Sequence, residues 1–460
     1  MCDQTEYNID LYALSMLFSW HCDNKHNDYS VMECFCRKLP NNRKFLLNVG
    51  IGRVIDYLQN LKFTDESIDF LCSKLNTKLS TDNFKTYLKN VNFAKEIKIF
   101  APEEGDIIFA NEPIIQLYGP IGLLEYVEKN ILSILNSDIK RASKYARVVI
   151  AARGKPLIEM GGRREHESIT VDAARSAYIA GFEATSCVQA DWKYSIPCRG
   201  TQAHVYIMSY DSELMAFTKW AQVYESSTYL IDTYDVYEGL ENALKADPNL
   251  GAVRLDSGDL YGQSINIKRR LNKGDNCNTK IIATNDLNEY KIATLEEKGA
   301  PIDIYGVGTE GIIVPDSPSL GIVYKLVDIN GNPVCKLSAD TAKSTFPGIH
   351  QVWRYYAITK NGQYMMTHDV IGLKSALVQE SDICRPLLKE HPLDITYDKK
   401  EVVQKAREKF TQVLTEMPEY LKLIPTDPKN EQPVTYHIEI SNQLAKLKQE
   451  LITKYKTSSA

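Results

Sequence analysis

The sequence predicts an α/β protein built on a (β/α) barrel. Three observations carry this prediction. Short apolar runs recur through the middle of the 460-residue chain, and each ends in glycine or in small polar and charged residues. Helical patterns lie between the runs. The units repeat at roughly 25–30 residues, the length of strand, loop and helix in a parallel barrel.

The runs justify themselves in order. Pro156–Met160 leads into Gly161-Gly162-Arg163-Arg164, and Ile196-Pro197 leads to Gly200-Thr201-Gln202-Ala203-His204. Tyr229-Leu230-Ile231 ends in Asp232-Thr233, and Ala252–Leu255 in Asp256-Ser257-Gly258-Asp259. Lys280–Ala283 ends in Thr284-Asn285-Asp286, and Ile302–Tyr305 in Gly306-Val307-Gly308-Thr309. Asn285 and Asp286 stand as N-caps of a helix through Leu287, Tyr290, Ile292 and Leu295, which Gly299 closes. The alanine-rich stretch from Asp172 to Ala180 reads as a helix that stops at Gly181. Parallel barrel strands converge at their C-terminal ends, where active sites sit. Every polar cluster above falls at such an end.

The flanks differ. A helix is expected from Leu11 to Phe18, and strands at Ile107–Phe109 and Ile114–Tyr118, parted by Asn111-Glu112-Pro113. After residue 320, Ile322–Val327 followed by Asn330-Gly331 reads as a β-hairpin arm. The tail from Glu401 and the lysine-rich segment Leu444 to Tyr455 read as helices.

Composition bounds the function. Hydrophobic residues make up 44% and charged residues 25%, which excludes a disordered, collagen-like or coiled-coil chain. The formal net charge of −5 leaves no global basic footprint for nucleic acid or an anionic membrane. No apolar stretch approaches the ~18 residues of a membrane span. The polar, acidic segment Met1–Asp10 does not read as a leader. Ten cysteines with no C-x-x-C pair do not form a disulfide scaffold. Cys34 and Cys36, with His21 and His26 upstream, fit no standard zinc module and read as buried, reduced thiols. A cytosolic enzyme is expected, with no protein-held metal cluster.

The strand-end motifs carry the chemistry. Gly306 to Gly311 matches G-x-G-x-x-G. Pro315 and the position late in the series argue against a dinucleotide fold, so the loop either binds a phosphate through backbone N–H groups or is only a turn. Asp256-Ser257-Gly258-Asp259 is either a capped turn or a pair of carboxylates for ribose hydroxyls and Mg²⁺. Arg254 shares a strand face with Asp256. A guanidinium there needs an anion, either Asp256 or a substrate carboxylate or phosphate held bidentately. Arg163 and Arg164 suit phosphate or a surface ion pair, and strand alternation turns only one of them to the site. His204 closes a glycine-threonine turn, where proton transfer or attack on phosphorus is the functional reading and a structural histidine the bland one. No P-loop, H-E-x-x-H, kinase set or G-x-S-x-G elbow is present.

Together these residues resemble the nicotinate phosphoribosyltransferase family, ATP-coupled enzymes that make nicotinate mononucleotide. The matching segments are Asp10-Leu11-Tyr12, Glu103-Glu104-Gly105, Asn111-Glu112-Pro113, Glu159–Arg164, Gly181–Ser186, Gly200–His204, Leu230–Asp235, Arg254–Asp259, Gly306–Thr309, Lys336-Leu337-Ser338 and Pro347-Gly348. The resemblance implies an irregular (β/α) barrel of the type II phosphoribosyltransferase kind, with a second α/β domain built from both chain ends. Residues 1–135 would form that domain, 136–320 the barrel, and 321–460 the return to the first domain and a C-terminal helical extension. It implies a homodimer with active sites near the subunit interface. It implies that His204 is phosphorylated by ATP, with Asp256 beside it in catalysis. Thr201 and Arg254 would contact nicotinate, Arg254 taking the carboxylate, and the partner subunit would deliver Tyr12. Gly306, Gly308 and Thr309 would hold the 5-phosphate of phosphoribosyl pyrophosphate. Arg163, Arg164, Phe182 and Asp259 would complete the substrate contacts, with Mg²⁺ as cofactor and ATP as co-substrate.

The chemistry agrees with the residue types. Displacing pyrophosphate from C1 of the sugar builds oxocarbenium character. Such a transition state needs anchored phosphates, nearby carboxylates and a metal for the leaving group. An aromatic ring can stack on the pyridine. The alternatives are a nicotinamide phosphoribosyltransferase, whose neutral substrate offers Arg254 no carboxylate, and a catalytically silent barrel that binds without turnover.

Overall fold

The computed structural model describes residues 5–274, 276–337, 345–376 and 378–457. The chain divides into two compact units. One comprises Met1–Lys140, Ser319–Leu421 and Pro433–Ala460, the other Arg141–Pro318 and Lys422–Gln432.

The first unit opens with the expected helix, which spans Leu11–Cys22. Strands β1 (Tyr29–Cys36) and β2 (Leu46–Leu47) follow. Among the next helices, Asp65–Ser73 starts at a reciprocal cap: the Thr64 hydroxyl accepts from the Ser67 N–H, and the Ser67 hydroxyl accepts from the Thr64 N–H. Then come β3 (Lys98–Ala101), β4 (Ile107–Ile108) and β5 (Pro113–Pro120). β1 runs antiparallel to β5, from Tyr29 opposite Pro120 to Phe35 opposite Pro113. Cys34 and Cys36 are fully buried in the core, unpaired thiols as expected.

The second unit holds the parallel strands β6 (Leu157–Glu159), β7 (Ala184–Thr185), β8 (Thr228–Leu230), β9 (Ala252–Leu255), β10 (Lys280–Ala283) and β11 (Ile304–Val307). Their order is β7-β6-β11-β10-β9-β8, so the sheet curls as a half-barrel with two edges. The run at Ile196-Pro197 forms no strand; Cys198 makes one isolated bridge to Thr185. Pro197 has no N–H to offer a ladder. Asn288, not Asn285 or Asp286, caps the helix Glu289–Glu297, its side chain accepting from the Lys291 N–H at 3.0 Å. Asp286 is left-handed (φ 41°), so the chain is still turning there. Residues 422–432 join this unit rather than the return. Glu431 explains it: its carboxylate accepts from Arg147 Nη2 at 2.7 Å and from the Tyr290 hydroxyl at 3.2 Å.

The chain then returns to the first unit. β12 (Ile322–Ile329) pairs antiparallel with β1, and β13 (Asn332–Pro333) folds back on it across Asn330-Gly331, the expected hairpin. β14 (His350–Ile358), β15 (Tyr364–Leu373), β16 (Cys384–Pro386) and β17 (Lys389–His391) follow. The helix Lys399–Glu416, β18 (Ile438–Ile440) and the helix Asn442–Thr457 end the fold. The sheets read β13-β12-β1-β5-β3-β17 and β16-β14-β15-β18. Ser338 of the Lys336-Leu337-Ser338 motif lies outside the described residues.

Buried charges tie both chain ends into this one unit. Arg354, wholly buried, donates to Asp369 at 2.7 and 3.0 Å and to the Ile107 carbonyl at 3.0 Å. The Tyr436 hydroxyl donates to Asp369 at 3.1 Å. His350 Nδ1 lies 2.9 Å from Glu33, and Gln116 donates to both Glu33 and the His350 carbonyl. Removing either member of such a pair would strand a buried charge.

Candidate active site

The half-barrel gathers its polar strand ends around one cavity of about 210 Å³. Arg163, Arg164, Arg254, Asp256, Gly306, Gly308 and Thr309 line it, all of them expected from sequence. Met160 and the polar strand end Thr284, Asn285 and Asp286 line it too, although the sequence gives none of them a substrate role. Asn285 and Asp286 suit helix capping by residue type, but with Asn288 as the cap both face the cavity.

Arg254 and Asp256 share a strand face, and they meet. Arg254 Nη2 lies 3.0 Å from Asp256 Oδ1. Its Nε donates to the Thr284 hydroxyl at 3.0 Å, and its Nη1 to the Thr201 hydroxyl at 2.9 Å. Thr284 in turn donates its proton to Asp256 Oδ1. Burial pushes the Asp256 carboxyl up, but the Thr284 hydroxyl and the Arg254 guanidinium prevail and hold it below the ordinary carboxylate range. Asp256 is therefore the anion that Arg254 needs in this structure, and the guanidinium fork is largely committed. Of its five N–H groups, one on Nη2 has no protein acceptor among the described residues.

His204 opens the helix His204–Met208. Its Nδ1 lies 3.1 Å from the Thr233 hydroxyl and its Nε2 3.7 Å from Asp256 Oδ2. The loop before it is anchored by Gln202, which is buried and accepts the Leu230 N–H of β8 at 3.3 Å. Thr201 and His204 thus touch the cavity-lining pair Arg254 and Asp256 without lining the cavity themselves.

Both arginines of the pair reach the cavity, not one. Gly162–Arg164 is a 3₁₀ turn rather than a strand, so alternation does not apply. Neither arginine makes an ion pair among the described residues, which disfavours the surface-pair reading. Glu159, unassigned from sequence, braces the turn. Its Oε1 accepts the Gly161 N–H at 2.5 Å and its Oε2 the Thr185 hydroxyl at 2.7 Å. Burial pushes the Glu159 carboxyl up, and these two donors offset that only in part. On the neighbouring strand β11, Gly306 is required by close approach: a Cβ there would stand 2.7 Å from Thr284 Cγ2 and 2.9 Å from Met160 Sδ. Gly308 leads into the short helix Thr309–Ile313, so the glycine-rich segment is a late strand-to-helix turn.

Within the second unit, Phe182 and Asp259 are not brought to the cavity. Phe182 is wholly buried, edge-on to Tyr145 with ring centroids 4.9 Å apart, and packs the core. Asp259 is exposed, its carboxylate turned over the first turn of the helix Leu260–Leu271 toward Gly262. Tyr12 belongs to the first unit, where it is half exposed and donates to Glu128 at 2.6 Å. No group of three or more His, Cys, Asp or Glu among the described residues is arranged to hold a metal. No described helix is long and apolar enough to cross a membrane.

The chain is similar to known proteins. Residues 8–136 match the family model for the nicotinate phosphoribosyltransferase (NAPRTase) N-terminal domain, and residues 156–413 that for the nicotinate phosphoribosyltransferase (NAPRTase) family. Nicotinate phosphoribosyltransferase pncB2 of Mycobacterium tuberculosis is 36% identical over 352 residues, covering 75% of this chain and 74% of its own. Nicotinate phosphoribosyltransferase of Bacillus subtilis is 34% identical over 382 residues, covering 80% and 77%. Human nicotinic acid phosphoribosyltransferase has the same fold, with a TM-score of 0.80 at 22% identity over 96% of this chain and 99% of that one. The matched models cover most of the sequence and include every strand end of the half-barrel: the chain belongs to the nicotinate phosphoribosyltransferase family.

Proposed function

We propose that this chain joins nicotinate to 5-phosphoribosyl 1-diphosphate, releasing nicotinate mononucleotide and diphosphate, and that His204 couples the reaction to ATP hydrolysis. The observation that carries the reading is the cluster Arg254–Asp256–His204 beside the unpaired Arg163 and Arg164. One uncommitted N–H of Arg254, with the Thr201 hydroxyl beside it, suits a substrate carboxylate. Because Asp256 already holds one edge of the guanidinium, that contact is single rather than a two-pronged fork.

The pyridine nitrogen attacks C1 as the C1–O bond to diphosphate breaks, and the electron pair leaves with diphosphate. Arg163 and Arg164 receive the negative charge that grows on the leaving group. The Gly306, Gly308 and Thr309 turn holds the 5-phosphate with backbone N–H groups. Asp256, ionised, steadies the positive charge that develops at the sugar. Asp256, Asp286 and Asn285 supply hard oxygen donors that fit Mg²⁺ in company with substrate oxygens. Those oxygens would hold Mg²⁺, which would supply positive charge to the diphosphate. In the coupling step a nitrogen of His204 takes the γ-phosphoryl of ATP as the bond to ADP breaks, and water later takes the phosphoryl as phosphate.

The working form is a cytosolic homodimer in which each copy lends its Tyr12 to the other. Exposed apolar side chains on the second unit support an unformed contact: Val188, Trp192, Val205, Met208 and Val223, each more than 60% exposed. Sedimentation tests the dimer. Product formation from phosphoribosyl pyrophosphate and Mg²⁺, with nicotinate or nicotinamide and with or without ATP, tests the activity. ATP-stimulated nicotinate turnover is expected. Turnover of nicotinamide alone would overturn the assignment of Arg254, and turnover of neither would leave a binding protein.

A further inference from the structure

His204 and Asp256 come from different strand ends, and the peptide after β8 holds both. Asp232 Oδ2 accepts the Asp256 backbone N–H at 2.9 Å and the Ser257 hydroxyl at 2.5 Å. The next residue, Thr233, places its hydroxyl 3.1 Å from His204 Nδ1. One peptide therefore reaches two separate elements, and its fixed length relates them. We propose that Asp232 and Thr233 are positioning residues that set the approach of the His204 ring to Asp256 and so prepare His204 for phosphoryl transfer. The inference rests on the proposed ATP coupling for its consequence, not for its geometry.

Three further features fit. The helix Val236–Ala246 begins at Asp235, whose carboxylate accepts the Tyr237 and Glu238 N–H groups, both at 2.9 Å. A Cβ on Gly239 of this helix would fall 2.0 Å from the Ile231 carbonyl oxygen. Only glycine lets the helix close on the chain immediately before Asp232. Asp232 Oδ1 is buried with no hydrogen-bond partner. An unsatisfied buried carboxylate oxygen is destabilising, so the residue serves geometry rather than stability.

The chemistry of the ring follows. With Nδ1–H donating to the Thr233 hydroxyl, the Nε2 lone pair is left free to take a phosphoryl group. That hydrogen bond fixes both tautomer and ring orientation. Removing that hydroxyl frees the ring to turn and to exchange tautomers.

The test compares Thr233→Val, which keeps shape and removes the hydroxyl, with Thr233→Ser, which restores it. Asp232→Ala and Asp232→Asn form a second pair. Two readouts are taken: the rate at which [γ-³²P]ATP labels the protein, and the imidazole ¹⁵N shifts of His204 in the unliganded protein. Thr233→Val should lower the labelling rate about tenfold, the loss of one hydrogen bond, with KM for nicotinate unchanged and the ring shifts moved toward mixed tautomers. Thr233→Ser should recover both. Wild-type labelling with unmoved ring shifts in Thr233→Val would overturn the proposal. If the unaltered protein takes no label, the ATP reading fails by itself. The ring shifts then still decide: moved shifts support the positioning, unmoved shifts refute it.

Discussion

His204 Nε2 stands 3.7 Å from Asp256 Oδ2. That is too long for a hydrogen bond, so Asp256 does not tether the ring. His204 is itself 43% exposed and packs no core. His204→Ala should therefore fold with an unchanged melting temperature. It should lose the stimulation of turnover by ATP while keeping the ATP-independent rate. Turnover measured with and without ATP decides; full stimulation in the variant would remove His204 from the coupling step.

Asp256 gives a pH prediction with a definite sign. Its carboxyl is held below the ordinary range in the folded protein. A depressed carboxyl contributes stability that is fully present above its unfolded pKa and lost as pH falls through the folded value. Asp256→Asn should cost about 1.5–3 kcal/mol at pH 7, the strength of hydrogen bonds to a charged group. The deficit against wild type should close as pH falls below the usual carboxylate range. Melting curves at pH 7 and at successively lower pH read this directly, and a deficit that does not narrow as pH falls contradicts it.

Arg254→Lys separates charge from geometry. Lysine keeps the positive charge beside Asp256 but not the fork that reaches Thr201 and Thr284 together. KM for nicotinate should rise roughly 10- to 100-fold, the range for losing a charged hydrogen bond. Steady-state kinetics at saturating phosphoribosyl pyrophosphate checks this. An unchanged KM would take Arg254 out of substrate binding.

Phe182 is where burial corrects pattern. Wholly enclosed beside Tyr145, it should behave as a core residue. Phe182→Ala should destabilise by about 3–5 kcal/mol. Phe182→Leu should cost under about 1.5 kcal/mol and leave KM for nicotinate unchanged. A raised KM in a stable Phe182→Leu protein would restore the substrate contact.

The sequence was legible where structure is local. Strands buried on both faces show as apolar runs, so β6, β8, β9, β10 and β11 appear where polar residues cut those runs off. Arg254 and Asp256 were linked by a two-residue period that the strand obeys. Phe182 misled because an aromatic residue reads the same in a core and at a cavity wall. Arg163 and Arg164 misled because the strand stops at Glu159 and a 3₁₀ turn has another period. The pins of the first unit, such as Arg354 to the Ile107 carbonyl and Glu33 to His350, join residues far apart in the chain and leave no local mark. Asp232 and Glu159 look like ordinary acids at strand ends; only their acceptor geometry distinguishes them.

Glu159 holds the arginine turn at a cost that pH exposes. Its carboxyl is raised by burial, so the folded protein binds its proton more tightly than the unfolded chain does. Between the two pKa values the native state carries more protons, and stability falls as pH rises. Glu159→Gln removes the charge while its amide oxygen still accepts the Gly161 N–H and its NH₂ donates to the Thr185 hydroxyl. The variant should match wild type in activity within about threefold, less than one hydrogen bond is worth. Its melting temperature should gain on wild type from pH 4 to pH 8. Glu159→Ala keeps neither contact, so the Gly161–Arg164 turn loosens and KM for phosphoribosyl pyrophosphate should rise about tenfold. Melting curves across pH and that KM are the measurements. A Glu159→Gln protein that loses ground to wild type as pH rises would mean that the buried charge stabilises the fold, against the sign derived from its burial.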